Sequence, residues 1–403
     1  MKTIVEINNN NYGSTGNIML NIAKCAREKG YNVYTACKNS KAAQRFTYAN
    51  HIYIGSWLDR VLSERLAYIT GLKDHFNIVN TKSFIKKLDE IKPDIIHIHN
   101  LHDSYINLAM FVNYINKNNI PVIWTLHDCW AFTGQCTYFD IVGCSKWEKE
   151  CFNCPLIHQY PDTLIDKTKK LFIEKKELLS SINNLTIVTP SSWLADLVKK
   201  SFLTNKNIKV INNGINLNIF KPINSDIREK YSINRKYIIL GVSTGWSKRK
   251  GLDTFVELSK NLTDDYQIVL VGTNETIDKN LPNNIVSIHK TYDQNELAEL
   301  YSAANVFVNP TMEENFPTVN IESIACGTPV ITYDTGGSKE MLNNKCSSVI
   351  EKGNINKLKQ EIISVCENNK YKSDDCAKQS KQYDMNDKFK EYVELYNKVL
   401  SIN

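Results

Sequence analysis

Two carboxylates, Glu314 and Glu322, stand with seven residues between them, and the intervening Asn315-Phe316-Pro317-Thr318-Val319-Asn320-Ile321 runs from polar into apolar residues. Carboxylates accept hydrogen bonds from hydroxyl groups. The spacing predicts Glu314 in a loop after a strand and Glu322 one or two turns into a helix. The free N–H groups at that helix start, around Phe316, Pro317, Thr318 and Val319, suit phosphate oxygens, and the helix dipole adds to them. One short segment could therefore read hydroxyls and a diphosphate together. A second charged segment, Ser247-Lys248-Arg249-Lys250-Gly251-Leu252-Asp253, follows a strand and brings cations that would balance negative charge growing on a leaving phosphate.

Three further groups carry candidate chemistry. Gly13-Ser14-Thr15-Gly16 reads as a loop between the first strand and first helix, where Gly13 and Gly16 let backbone approach a ligand closely. His127 lies at a strand end, and His97, His99 and His102 flank another, with His102 a candidate for binding a hydroxyl group. Cys136, Cys144, Cys151 and Cys154 end in Cys-x-x-Cys inside an aromatic-rich stretch with Trp130, Phe132, Tyr138 and Trp147. Four thiolates at such spacing suit a structural zinc that staples a loop, ordinary reduced cysteines or a redox pair.

The elements that must position these residues are short β-branched runs alternating with helical stretches, the pattern of parallel βαβ units. Strands are predicted at Thr3–Ile7, Asn32–Ala36, Asp94–His99, Pro121–Leu126, Leu185–Thr189 and Lys209–Ile211. A second series covers Tyr237–Val242, Tyr266–Val271, Ile285–His289, Val306–Asn309 and Pro329–Thr332. The Lys221-Pro222 break divides the chain into 1–220 and 221–385, followed by a helix in 386–403 expected to pack back across a cleft. Ligands of open parallel sheets bind beyond the carboxyl ends of strands, and every polar group above falls at such an end. Trp57–Ile69, with Arg60 and Arg65 beside it, reads as a helix packed on its own domain, with a peripheral membrane helix as the second reading.

Bulk properties narrow the class. A chain of 403 residues fits two domains, and 42% hydrophobic with 23% charged residues is ordinary globular composition. The net charge of +6 suits an anionic ligand or an acidic membrane surface, and is too small and scattered to argue for nucleic acid. The opening residues lack the apolar core of a signal peptide. With eleven cysteines, the expectation is a cytoplasmic protein holding reduced thiols or a metal.

The run from Glu314 to Glu322, continued by Ala325-Cys326-Gly327-Thr328-Pro329-Val330, resembles the retaining glycosyltransferases of family four in the GT-B superfamily, bacterial surface-polysaccharide type. That resemblance implies an α/β fold of two Rossmann-like domains facing a central cleft. It implies transfer of a hexose-type sugar from a UDP- or GDP-sugar to a hydroxyl on a glycan or lipid-linked acceptor. Glu314 would hold the donor sugar, Glu322 the ribose, Lys250 the diphosphate and His127 the sugar near the reacting centre. Gly13 and Gly16 would form the N-domain glycine loop. The family carries an arginine where this chain has Gly245, and Arg249 is the substitute candidate. No cofactor is required for such catalysis, so any zinc would be structural. A nucleotide-sugar 2-epimerase on the same fold and a non-catalytic sugar-nucleotide-binding subunit are the alternatives.

Overall fold

A computed structural model describes residues 1–46 and 48–402. The chain forms two units, one of residues 1–212 with the C-terminal helix from Lys388 onward, the other Asn213–Asp387. In the first, seven strands form one parallel sheet: β1 (Thr3–Asn8), β2 (Asn32–Lys38), β3 (His51–Ile54), β4 (Ile95–Ile98), β5 (Val122–Thr125), β6 (Leu185–Thr189) and β7 (Asn207–Val210). Their order is β3-β2-β1-β4-β5-β6-β7. In the second unit β8 (Tyr237–Val242), β9 (Tyr266–Val271), β10 (Ile285–Ile288), β11 (Val306–Asn309), β12 (Val330–Tyr333) and β13 (Ser347–Ile350) pair as β10-β9-β8-β11-β12-β13, again all parallel.

Both sheets are covered on both faces, which is why their central strands are continuous apolar runs. Alternation along β8 shows the two layers directly: Ile238 and Leu240 enter one core, Ile239 the other. The two strands the sequence pattern did not predict, β3 and β13, are sheet edges. His51-Ile52-Tyr53-Ile54 and Ser347-Ser348-Val349-Ile350 are half-exposed four-residue segments, too short and too mixed to stand out.

The second unit begins at Asn213, close to the expected break near 221: the Ile215 N–H donates to the Tyr383 carbonyl at 2.9 Å, and Ile215 and Phe220 sit in the second unit's core. Two details differ from expectation. Gly13–Thr15 is not a loop but the first turn of the helix Gly13–Glu28; the loop is Asn9–Tyr12. The helix Trp57–Thr70 packs on its own domain only along a narrow face, burying Ser63 and Ala67 and leaving Leu58, Leu62 and Ile69 more than half exposed.

The last helix, Met385–Ile402, buries Phe389, Tyr392, Val393 and Tyr396, and its length from Lys388 belongs to the first unit. The Tyr396 hydroxyl bonds His97 Nδ1 at 2.7 Å and reaches Glu6 Oε1 at 3.3 Å, anchoring the helix on β1 and β4.

One glycine governs how two loops of the second unit meet. Gly251 has φ +80°, and a Cβ there would lie 2.4 Å from the Pro310 carbonyl oxygen just past β11. Gly251→Ala should lower the second unit's unfolding free energy by on the order of 1–3 kcal/mol in urea titration, from left-handed strain plus the clash. Gly245→Ala, with open space around its Cβ, should match wild type.

Candidate functional site

Strand order reverses where β8 meets β11, so the chain leaves their carboxyl ends in opposite directions and the two following loops face each other. The loop after β8 is tied down by Trp246, whose Nε1 donates to the Val271 carbonyl at 2.9 Å while its ring packs edge-on to Phe255. The loop after β11 is laced to it: the Met312 N–H donates to the Arg249 carbonyl at 2.8 Å, and Arg249 Nη1 donates to the Glu313 carbonyl at 3.2 Å.

This lacing sets Lys250 Nζ 2.6 Å from Glu314 Oε2, and Glu314 Oε1 accepts from the Asn315 N–H at 3.1 Å. Burial pushes the Glu314 carboxyl up, but Lys250, and after it Arg249, outweigh burial and hold it below its ordinary value. Glu314 is therefore an anion with two cations beside it.

Glu322 differs. It lies in the helix Thr318–Ala325, where its Oε2 accepts from the buried Tyr301 hydroxyl at 3.2 Å, and no cation offsets its burial. Burial raises it to about 7, against the smaller opposing bonds from Tyr301 and Thr318. The helix begins after Pro317 with no side-chain cap, leaving its first N–H groups for a ligand. Phe316 offers only its backbone. Its ring is buried in the core, edge-on to Tyr383 at 6.0 Å, and makes no donor-facing surface.

The first unit brings its histidines together at the ends of β4 and β5. His99 Nδ1 lies 3.0 Å from His127 Nε2, with the rings stacked at 5.3 Å. Burial drives His97 to about 3 and His127 to about 4, and takes His99 well below its usual value, so all three are neutral at pH 7. Burial likewise raises the Glu6 carboxyl. Glu6, His97 and His99 form the only group of three metal-capable donors within 4.8 Å of one another among the described residues. His97 has both nitrogens engaged, by Tyr396 and by Thr125 Oγ1 at 2.8 Å, so the set is a hydrogen-bonded core network.

His102 is the opposite case. Burial works against its charge, but Asp128, with Oδ2 3.2 Å from Nε2, and Asp103 raise it to about 10. Lys38 at 2.8 Å and Asn9 at 2.9 Å hold Asp103, and Tyr160 bonds His102 Nδ1 at 2.9 Å. Asp128, Asp103, Lys38, Tyr160 and Tyr301 were not predicted. His102-Asp103 and His127-Asp128 are adjacent pairs in sequence, a usable signal, whereas Lys38, Tyr160 and Tyr301 come from distant elements. Gly16 fits close backbone contact, since a Cβ would meet the Asn11 carbonyl carbon at 2.8 Å; Gly13 has φ +73° and open space around it.

Known proteins resemble the chain across both units. The family model described as Glycosyltransferase Family 4 matches residues 15–219, and that of Glycosyl transferases group 1 matches 224–383. The chain belongs to glycosyltransferase family 4. This glycosyltransferase is 24% identical over 278 residues to WcaC of Escherichia coli K12, named for colanic acid biosynthesis, a match spanning 66% of each chain. It is 24% identical over 365 residues to the Campylobacter jejuni N,N'-diacetylbacillosaminyl-diphospho-undecaprenol alpha-1,3-N-acetylgalactosaminyltransferase, spanning 83% of this chain and 95% of that one. Among solved structures, Anabaena HepE in complex with UDP-glucose superposes with TM-score 0.70 at 15% identity, covering 99% of this chain and all of that one. The fold of this glycosyltransferase is thus GT-B.

Glu322 gives this transferase a testable pH signature. Folded, it keeps its proton up to about pH 7, whereas its ordinary value is 4.5, so the folded state binds the extra proton between them. Its contribution to stability is complete below the lower value and lost as pH rises through the upper one. Across that window, unfolding free energy measured in urea without ligand should fall for wild type relative to Glu322→Gln. Parallel curves would remove the assignment.

Proposed function

We propose that this protein is a retaining glycosyltransferase that moves a hexose-type sugar from a nucleoside-diphosphate sugar to a hydroxyl acceptor in bacterial surface-polysaccharide synthesis. The observation that carries the reading is the Lys250–Glu314 pair beside an uncapped helix start, with the buried Glu322 one turn further along that helix. An ionised carboxylate suits donor-sugar hydroxyls, and the adjacent cations suit the diphosphate as charge grows on it. Glu322, whose carboxyl burial raises to about 7, suits ribose hydroxyls, which would favour its ionised form as acceptor. Arg249, whose carbonyl and guanidinium both bind the loop after β11, takes the place left by Gly245. Cations and helix N–H groups supply the phosphate charge balance, so the chemistry asks for no metal. His127 enters as a neutral hydrogen-bonding group for a sugar hydroxyl. His102 with Asp128 enters as a polar site for the acceptor.

Glu314→Ala should fold as wild type and lose about 100- to 1,000-fold in transfer with its best nucleotide sugar, because a charge-assisted bond to the transferred sugar is gone. Lys250→Ala should lose a comparable factor, and the double variant less than the product of the two, since the pair acts as a unit. Transfer by Glu314→Ala within a factor of a few of wild type would refute the site.

A lipid-linked acceptor fits a second observation. Tyr68, Leu62, Leu58 and Ile69 are exposed on the helix Trp57–Thr70, and Leu164 joins them because its N–H donates to the Tyr68 carbonyl at 2.9 Å. Arg65 and Lys167 are exposed beside this apolar face. Among the described residues no helix is long and apolar enough to cross a membrane. The reading is a face that rests on an anionic leaflet. Leu58→Ser with Leu62→Ser should weaken co-sedimentation with phosphatidylglycerol vesicles at least roughly tenfold, from lost apolar burial. Unchanged sedimentation would exclude this face.

A further inference from the structure

Between β5 and the helix Thr168–Ser180 the chain runs through some forty residues whose only regular elements are the single 3₁₀ turns Trp130–Phe132 and Lys146–Glu148. Irregular segments of this length are uncommon inside a compact domain unless something holds them. Part of the hold is apolar: Trp130, Phe132, Phe139 and Trp147 are buried in the first unit's core, so the segment is built into the domain. The rest is four thiols. Cys136, Cys144, Cys151 and Cys154, from four separate points of the segment, line one cavity of about 20 Å³. That is room for a single ion or water and far too little for a metal–sulfur cluster.

We propose that these four cysteines bind one zinc ion as the structural staple of residues 130–158. Four sulfur donors select a soft ion and favour a closed tetrahedral site with no open coordination position. The surroundings are those of metal thiolates. The Cys136 thiol is hydrogen-bonded to Cys154, the Gly134 N–H donates to Cys151 Sγ at 3.2 Å, and the Leu156 N–H is directed at the Cys154 sulfur. The Cys-x-x-Cys turn is fixed from outside by Asp166, whose Oδ2 accepts from the Cys154 N–H at 2.7 Å. Trp147, Phe152 and Pro155 also line the cavity.

Cations offset part of the charge. Four thiolates around a divalent ion leave two negative charges. Lys146 reaches the Phe152 and Asn153 carbonyls at 3.0 Å each beside the turn, and buried Lys175 acts on Cys151 and Cys136. The sulfurs are drawn up around the cavity but not closed on a point, since no three lie within 4.8 Å of one another. A tetrahedron of 2.3 Å zinc–sulfur bonds needs about 3.8 Å between sulfurs. Rotation about the Cα–Cβ bonds supplies that closure, and binding releases the thiol protons to solvent.

The test uses the full chain purified without added metal. Elemental analysis should find about one zinc per chain, and exchange into cobalt(II) should give the visible bands and thiolate charge-transfer absorption of a tetrahedral sulfur site. Cys144→Ser and Cys154→Ser should each lose most of the zinc and show faster hydrogen exchange across 130–158, with the second unit unchanged; Cys326→Ser, in the second unit's core, should keep its metal. If the variants fail to fold, the wild-type cobalt spectrum decides alone. Metal-free, folded protein with four reduced thiols would overturn the proposal, as would a Cys136–Cys154 disulfide found by mass spectrometry.

Discussion

The pairing of β8 with β11 is the constraint from which the candidate donor site follows. Parallel strands cannot be joined by tight turns, so each strand hands its chain to a helix on one face of the sheet or the other. Where the order turns from β9-β8 to β11-β12, the loops after β8 and β11 are freed from their own crossovers and face one another. Lys250 and Glu314 meet there although 64 positions separate them. Gly251 is what lets the backbones touch, since any side chain at that point would collide with Pro310. Remove the pairing and the cation, the carboxylate and the uncapped helix start become unrelated surface features.

The two glutamates show how burial and neighbours divide one residue type into two roles. Both are enclosed, but only Glu314 has cations at hand, so its carboxyl is held below the ordinary value while that of Glu322 rises to about 7. A carboxylate beside cations and a carboxyl raised by burial against a tyrosine are different instruments, made from the same side chain by two loops and one helix.

The first unit uses the same physics for support. Glu6, His97 and His99 lie at the centre of a buried sheet, where desolvation raises the Glu6 carboxyl and lowers both imidazoles, and hydrogen bonds run outward to Thr125 and to Tyr396 of the last helix. Those bonds fix where that helix docks. His102, a few residues further on, is surrounded by carboxylates instead and keeps its charge in a similarly buried place.

Much of this was legible in the sequence. Apolar runs separated by helical periodicity mark the buried strands, because a strand covered on both faces must be apolar throughout; β3 and β13 escape that rule as edges with one exposed side. Glu314 and Glu322 share one loop and helix start, and Arg249 and Lys250 lie beside Gly251 in another loop, so each set is recognisable as a candidate from its own local spacing. What lies far apart in sequence was decided only by the tertiary structure. The Lys250–Glu314 bond, the Tyr301 partner of Glu322, the Asp103–Lys38–Tyr160 surroundings of His102 and the burial of Phe316 each depend on which strand neighbours which. The protonation of Glu322 depends on it too, since residue type sets the ordinary value and packing sets the departure. Sequence spacing records local geometry along one helix or turn; charge state and partnership belong to the space between elements, and only the assembled sheets define that space.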